Sequence, residues 1–237
     1  MVQVKCLASG STGNSYALDD GESVLLLEAG ISAKRILDGY LPLLPRVAGC
    51  LITHEHMDHA KGAKDLAARG IDLYASSGTF SNLEEIRHPY RKHTVRAGEQ
   101  FTLGSWIVVP WQAQHDAQEP LGFLLYSKAQ KEKVLFATDT YYIPNTFREL
   151  NVILVECNYD PQILEKRIRA GQVVPSMARR LQQSHFNVEH VKDFLCSNDL
   201  SKVRQIYLIH VSKGNGDPAA FQKEIMALTG RPVHVFG

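Results

Sequence analysis

Apolar positions along the chain fall into two rhythms. Short apolar or weakly alternating runs bounded by turn residues predict strands over Val2–Ala8, Tyr16–Asp19, Ser23–Leu27, Val47–Ile52, Ile71–Ala75, Phe101–Val109 and Leu121–Ser127. The same pattern predicts strands over Val134–Ala137, Val152–Val155, Gln205–His210 and Pro232–Phe236. Longer segments carry helix start and stop signals. Ser32 can cap a short helix through Asp38, Ala60–Arg69 is closed by Gly70, and Gly78–Ile86 reads as helical. Asp160-Pro161 opens a helix through Arg169, with proline in the first turn. Asn187–Cys196 and Pro218–Leu228 are two more, the last closed by Thr229-Gly230 with Pro232 beyond. The result is an α/β chain.

Composition narrows the setting. The chain has 237 residues, 44% hydrophobic and 22% charged, which suits a globular protein. No linker, low-complexity tract or fixed-period repeat divides it, so a single domain over 1–237 is expected. Its formal net charge is +1, so any contact with nucleic acid must come from a local patch. The basic stretch Arg87-His88-Pro89-Tyr90-Arg91-Lys92-His93 is either a solvated loop or a phosphate-contacting edge. The first residues lack the pattern of a signal peptide, and no run is long enough to span a membrane. Cys6, Cys50, Cys157 and Cys196 are widely spaced and form no Cys-x-x-Cys. They read as buried thiols in a reducing compartment, so a cytoplasmic location is expected.

The chemistry concentrates in Thr53-His54-Glu55-His56-Met57-Asp58-His59, between an apolar run and a helix-like run. In extended backbone His54 and His56 project to the same side, and Asp58 and His59 follow where the chain turns into the helix. Imidazole suits zinc and similar transition metals, and carboxylate suits harder divalent ions. Near the N-terminus, Ser9-Gly10-Ser11-Thr12-Gly13-Asn14-Ser15 is a small-residue loop that could hold an anion or simply turn a hairpin. It is no Walker loop, since no Gly-Lys-Ser/Thr follows.

His-x-His-x-Asp-His at a strand end resembles the first metal motif of the metallo-β-lactamase superfamily. That resemblance implies a four-layer αβ/βα sandwich with a metal pair at one edge. His115, Asp139 and His210 each follow a strand-like run, and in the family's chain order they match its later metal motifs. The implied division places His54, His56 and His115 on one metal and Asp58, His59 and His210 on the other, with Asp139 bridging. Glu28, in Glu28-Ala29-Gly30, stands where the family usually has aspartate and would support the metal loop from behind. The Ser9–Ser15 loop, His115-Asp116-Ala117, Ala137-Thr138-Asp139-Thr140, Glu156-Cys157-Asn158 and His185-Phe186-Asn187 look like the YycJ/WalJ-like subfamily. Glu28, Tyr141, Tyr159 and Ser184 depart from its pattern, and the two tyrosines could reshape the pocket.

The resemblance implies a dinuclear metal-dependent hydrolase, a phosphodiesterase or nuclease acting on nucleic acid or a small phosphodiester through a metal-bridging hydroxide, with no membrane partner. Two divalent ions, zinc or manganese with iron as a further option, would acidify the attacking water. His185 is the candidate proton donor to the leaving oxygen, and Asp58 could also orient the water. Ser11, Asn14 and Asn187, with Glu28, are candidates for supporting the ligands or binding substrate. Two other readings remain open: a glyoxalase-II-like thioesterase or lactonase, and a non-catalytic metal-stabilised binding module.

Overall fold

The computed structural model describes residues 1–83 and 86–237. The chain forms two compact units: residues 1–112 with 117–132, and residues 113–116 with 133–237.

In the first unit, β1 (Gln3–Ala8), β2 (Ser15–Asp19), β3 (Val24–Leu27), β4 (Val47–Leu51), β5 (Leu73–Ala75) and β6 (Lys92–Thr94) make a six-stranded sheet in chain order. The first three strands are antiparallel, joined by the loops 9–14 and 20–23. From β3 onward the strands are parallel, so each return needs a crossover. Those crossovers carry α1 (Ala33–Gly39), α2 (Met57–Ala60), α3 (Ala63–Ala68) and α4 (Ser77–Asn82). Ser32 caps α1 by accepting from the Arg35 amide. Ile36 of α1 and Leu66 and Ala67 of α3 join Leu26, Cys50 and Ile52 in one buried cluster. A fully buried leucine such as Leu66 contributes about 1.5–3 kcal/mol by leaving water. The same unit holds the antiparallel run β7 (Phe101–Leu103), β8 (Trp106–Gln112) and β9 (Leu121–Ser127).

In the second unit, β10 (Glu132–Ala137), β11 (Val152–Glu156), β12 (Gln205–Ile209) and β13 (Val233–Val235) are parallel neighbours in that order. α5 (Pro161–Arg169), α6 (Pro175–Ser184) and α7 (Val188–Cys196) connect β11 to β12, and α8 (Pro218–Thr229) connects β12 to β13. Asp160 caps α5 and Asp217 caps α8, while Gly230 ends α8 at φ 64°. Within each unit the parallel strands run the same way, so their C-terminal ends lie along one edge of that unit's own sheet. That edge is where α/β sheets place their ligands.

Three expectations are corrected. The helix expected over Ala60–Arg69 is two helices, α2 and α3, broken around Gly62, whose amide donates to the Ala29 carbonyl at 2.7 Å. A Cβ at 62 would lie 2.4 Å from the Ile31 carbonyl oxygen, so the helix yields to a close approach of the 29–31 segment. Phe101–Val109 is a hairpin, not one strand, and turns at Gly104, φ 58°. Cys50 and Cys157 are buried, but Cys6 is only partly so and Cys196 is exposed; all four thiols are free. The helix expected over Gly78–Ile86 is observed over Ser77–Asn82, and Glu84 and Glu85 lie outside the described residues. Strand β6 and helix α6 are not among the expected elements. β6 is Lys-His-Thr, and α6 fully buries only Ala178 and Ser184. No helix among the described residues is long and apolar enough to cross a membrane.

Candidate metal centre

The first unit presents its donors straight after β4. Thr53 and His54 are buried as the strand ends, and α2 starts at Met57 with His56 in the N-cap position. The Thr53 hydroxyl lies 2.9 Å from His54 Nδ1, leaving Nε2 for a metal. His54 Nε2 faces His56 Nδ1 at 3.1 Å. A tetrahedral ion with bonds near 2.0–2.1 Å separates its ligands by roughly 3.3 Å, so this pair fits one edge of a zinc-like shell. The His59 ring lies 4.2 Å from that of His54, and its Nε2 is 3.4 Å from Asp58 Oδ2.

Backbone contacts hold this loop from behind. Glu28 N donates to Leu51 O at 2.9 Å and Ala29 N to His59 O at 2.7 Å. Asn14 N and Nδ2 both donate to Asp58 O, at 2.8 and 3.1 Å. Gly30 has no alternative, since a Cβ there would fall 1.7 Å from Asp58 O. Glu28 is wholly buried and held at φ 66°, a left-handed backbone that a non-glycine residue adopts at a cost. Its carboxylate lies 3.4 Å from His59 Nδ1 and accepts from the Thr53 amide at 3.3 Å. Burial raises its pKa, and His59 and Thr53 offset only part of that rise.

The second unit collects its donors from separate strand ends. Asp139 follows β10, Glu156 ends β11 and His210 follows β12. Asp139 and His210 also sit at positive φ, 46° and 53°. Asp139, Glu156, His185 and His210 each offer an atom, and these atoms lie within 4.8 Å of one another. Glu156 is the hub. It lies 2.7 Å from His185 Nδ1 and 3.0 Å from His210 Nδ1, and it accepts from the Phe186 and Thr140 amides at 3.1 and 3.3 Å. Asn158 Nδ2 adds a fifth contact at 3.3 Å. Burial pushes the Glu156 pKa up, but His185 and these donors outweigh it and hold the group below the usual glutamate value. Burial pulls His185 down, and Glu156 and Asp139 more than reverse this, so its pKa is raised. A carboxylate on His210 Nδ1 fixes the proton there and frees Nε2 for a metal. His115 is set up likewise, with Nδ1 donating to Ser184 O at 2.7 Å, and burial lowers its pKa. Its Nε2 is 3.6 Å from Asp139 Oδ2.

Each unit thus gathers its share of the predicted ligands: His54, His56, Asp58 and His59 in the first, His115, Asp139 and His210 in the second. The donor chemistry fits divalent transition metals. Glu156 is the residue that pattern reading undervalued. The apolar run stops at Val155, yet a charged residue ending a wholly buried strand is itself a signal. Asn14 supports the loop as expected of a residue behind the ligands, its Nδ2 lying 3.2 Å from His59 Nε2. Ser11, on the same loop between β1 and β2, is exposed. Asn187 is a helix cap, accepting from the His190 amide at 2.9 Å. Tyr159 is buried in a small core with Leu164 and Ala178, whereas Tyr141 is exposed. The basic stretch is largely spent internally: Arg91 pairs with Asp72, Lys92 lies over Phe80, and His93 stacks on Tyr74.

Residues 25–211 match the family described as "Beta-lactamase superfamily domain". The chain is 31% identical to exodeoxyribonuclease WalJ of Streptococcus pneumoniae over 224 residues, covering 88% of this chain and 81% of that protein. It is 31% identical to exodeoxyribonuclease YycJ of Bacillus anthracis over 222 residues, covering 88% and 82%. Among solved structures, the metallo-β-lactamase fold protein YhfI of Bacillus subtilis superposes with a TM-score of 0.73 at 14% identity, covering 99% of this chain and 95% of that one. The mixed α/β architecture is therefore the metallo-β-lactamase fold.

Proposed function

The chain belongs to the metallo-β-lactamase superfamily, and on that premise we propose that it is a cytoplasmic metal-dependent phosphodiesterase, a nuclease acting on DNA as a single catalytic domain. The observation that carries this reading is the likeness over 88% of the chain to two exodeoxyribonucleases. The donors at the strand ends support it. His54, His56 and His115 would hold one divalent ion and Asp58, His59 and His210 a second, with Asp139 available to both; zinc, manganese or iron suits these ligands. Such ions, when bound, acidify water and neutralise charge developing on a phosphate. The protein's part is to orient and to move protons. Glu28 and Glu156 set the His59 and His210 rings from behind. Glu156 holds His185 Nδ1, which leaves Nε2 to hand a proton to the leaving oxygen.

The test is a substrate panel with metal-reconstituted protein: single- and double-stranded DNA, RNA, a bis-aryl phosphodiester, a thioester and a β-lactam. Cleavage of DNA and the diester is expected. Turnover of the thioester alone would move the chain to the glyoxalase-II-like class, and no turnover at full metal content would make it a binding module. His185 also stands among donors that could hold a metal, so His185→Ala separates two roles. As a proton donor it should cost about 10²–10⁴-fold in kcat on DNA, much less on an activated aryl diester, and no metal. Loss of metal would make it a ligand.

A further inference from the structure

Positive charge is unevenly placed in this chain. Between Asp160 and Ser184 lie five cations, Lys166, Arg167, Arg169, Arg179 and Arg180, against Asp160 and Glu165, a net of +3. The whole chain is +1, so the remainder is −2. The segment is the hairpin of α5 and α6. Its two acids are already engaged: Asp160 caps α5, and Glu165 pairs with Arg169. Arg180 pairs with Asp116 at 2.7 Å. Lys166 and Arg179 are exposed and have no carboxylate partner among the described residues, and Arg167 bonds only the neutral Gln172 and Asn215. A merely solvated face would carry mixed signs, whereas this one leaves cations in excess.

The hairpin is also tied to three donors of the second unit. Ser184, the last residue of α6, gives its carbonyl to His115 and precedes His185. Arg180 grips the residue after His115. Asn215, on the loop that follows His210, accepts from Arg167 and from the Asp160 amide. On its open side α6 exposes Ser176, Arg179, Arg180, Gln182 and Gln183, all able to donate hydrogen bonds to phosphate oxygens.

We propose that the α5–α6 hairpin is the surface that holds the sugar–phosphate backbone of the DNA strand, with Lys166, Arg167 and Arg179 as its phosphate contacts. The proposal rests on the nuclease reading for its ligand and goes beyond it in naming the surface. Binding by phosphate neutralisation releases counterions, so affinity falls with salt, with a slope of about 0.7 per contact for a single strand.

The experiment measures anisotropy of a labelled single-stranded phosphorothioate oligonucleotide on metal-loaded protein across a salt series. Lys166→Glu with Arg179→Glu should bind about tenfold or more weakly at low salt, and its salt slope should be shallower by about 1.4. The milder Lys166→Gln with Arg179→Gln pair should lose the same slope with a smaller drop in affinity. Lys223→Glu, exposed on α8, makes one such charge change elsewhere and should leave the slope intact. Variants that keep the wild-type slope overturn the proposal, as does wild-type protein that hydrolyses an aryl diester but binds no oligonucleotide. Wild-type protein that binds with the expected slope, sensitive to these two residues, yet cleaves no diester would retire the nuclease reading and leave the hairpin's role standing.

Discussion

The two units present metal donors by different means. In the first, four donors lie within six consecutive residues, and the loop is fastened mainly by main chain: Asn14 to Asp58, Glu28 to Leu51, Ala29 to His59, Gly62 to Ala29. In the second, the donors come from separate strand ends and a helix terminus, and one buried side chain, Glu156, draws them together. Each unit has a buried glutamate behind its histidines, yet the two are shifted in opposite directions. Burial is the largest influence on both. Glu28 meets one histidine and one amide, too little to offset burial, whereas Glu156 meets two histidines, two amides and an amide side chain. A local motif can be clamped by backbone, while dispersed donors need a side-chain hub.

The largest expected effect tests the hub. Glu156→Ala leaves the ring N–H groups of His185 and His210 and two buried amides without their acceptor, and should cost about 3–5 kcal/mol, as breaking a buried pair does. Glu28→Ala removes fewer contacts and should cost about 1–3 kcal/mol. Urea unfolding of metal-free proteins checks both; equal losses would erase the distinction between the two units.

The backbone clamp is tested next, at glycines. Gly30→Ala forces a Cβ into the Asp58 carbonyl and the Asn14 amide, 1.7 and 2.5 Å away. It should cost about 1–3 kcal/mol and lower metal uptake, because the loop carrying the donors must move. Gly216, beside the His210 loop, would place a Cβ no closer than 2.9 Å to its neighbours. Gly216→Ala should cost less and leave metal content near wild type. Elemental analysis and thermal unfolding read both, and a Gly30→Ala protein with full metal would show that side chains alone hold the loop.

These contrasts also explain what the sequence made legible. The His54–His59 run could be read directly, because strand and helix periods act over neighbouring residues. His115, Asp139 and His210 could be read only as a set, through their strand-end positions and the family's order. Glu156 looked like a strand terminus, since its importance lies in contacts to residues 29 and 54 positions further on. Helix α6 was hidden because its apolar stripe is thin: Ala178 and Leu181 pack on the Tyr159 cluster, while polar residues fill most other positions. The break at Gly62 was equally hidden, because it answers to a tertiary approach from Ile31. Ser11 drew notice by composition alone, in a loop whose architectural residue is Asn14.

The smallest effect tests the balance between burial and donors away from every metal ligand. Asp20, 1% exposed, accepts from the Ser23 and Glu22 amides, both at 2.9 Å, and from the Ser105 and Ser127 hydroxyls at 2.6 and 2.7 Å. Among the described residues it has no histidine partner, so hydrogen bonds oppose burial. Burial pushes its pKa up, and the four donors outweigh it and hold the carboxyl below the ordinary aspartate value. A carboxyl with a lower pKa in the folded chain than in the unfolded one stabilises the fold above the unfolded value. That stabilisation is lost as pH falls through the folded value. Asp20→Asn should therefore cost about 1–2 kcal/mol near neutral pH, the scale of a charge-assisted hydrogen bond. The gap from wild type should narrow as pH falls from the ordinary aspartate value through the lower folded one, below which the wild-type carboxyl is neutral in both states. Ser105→Ala and Ser127→Ala should each reproduce part of the neutral-pH loss and part of the narrowing. Urea midpoints across an acid series decide it. A gap that stays constant down to the lowest pH would mean that shape rather than charge holds Asp20, and that counting donors does not account for the opposite shifts of Glu28 and Glu156.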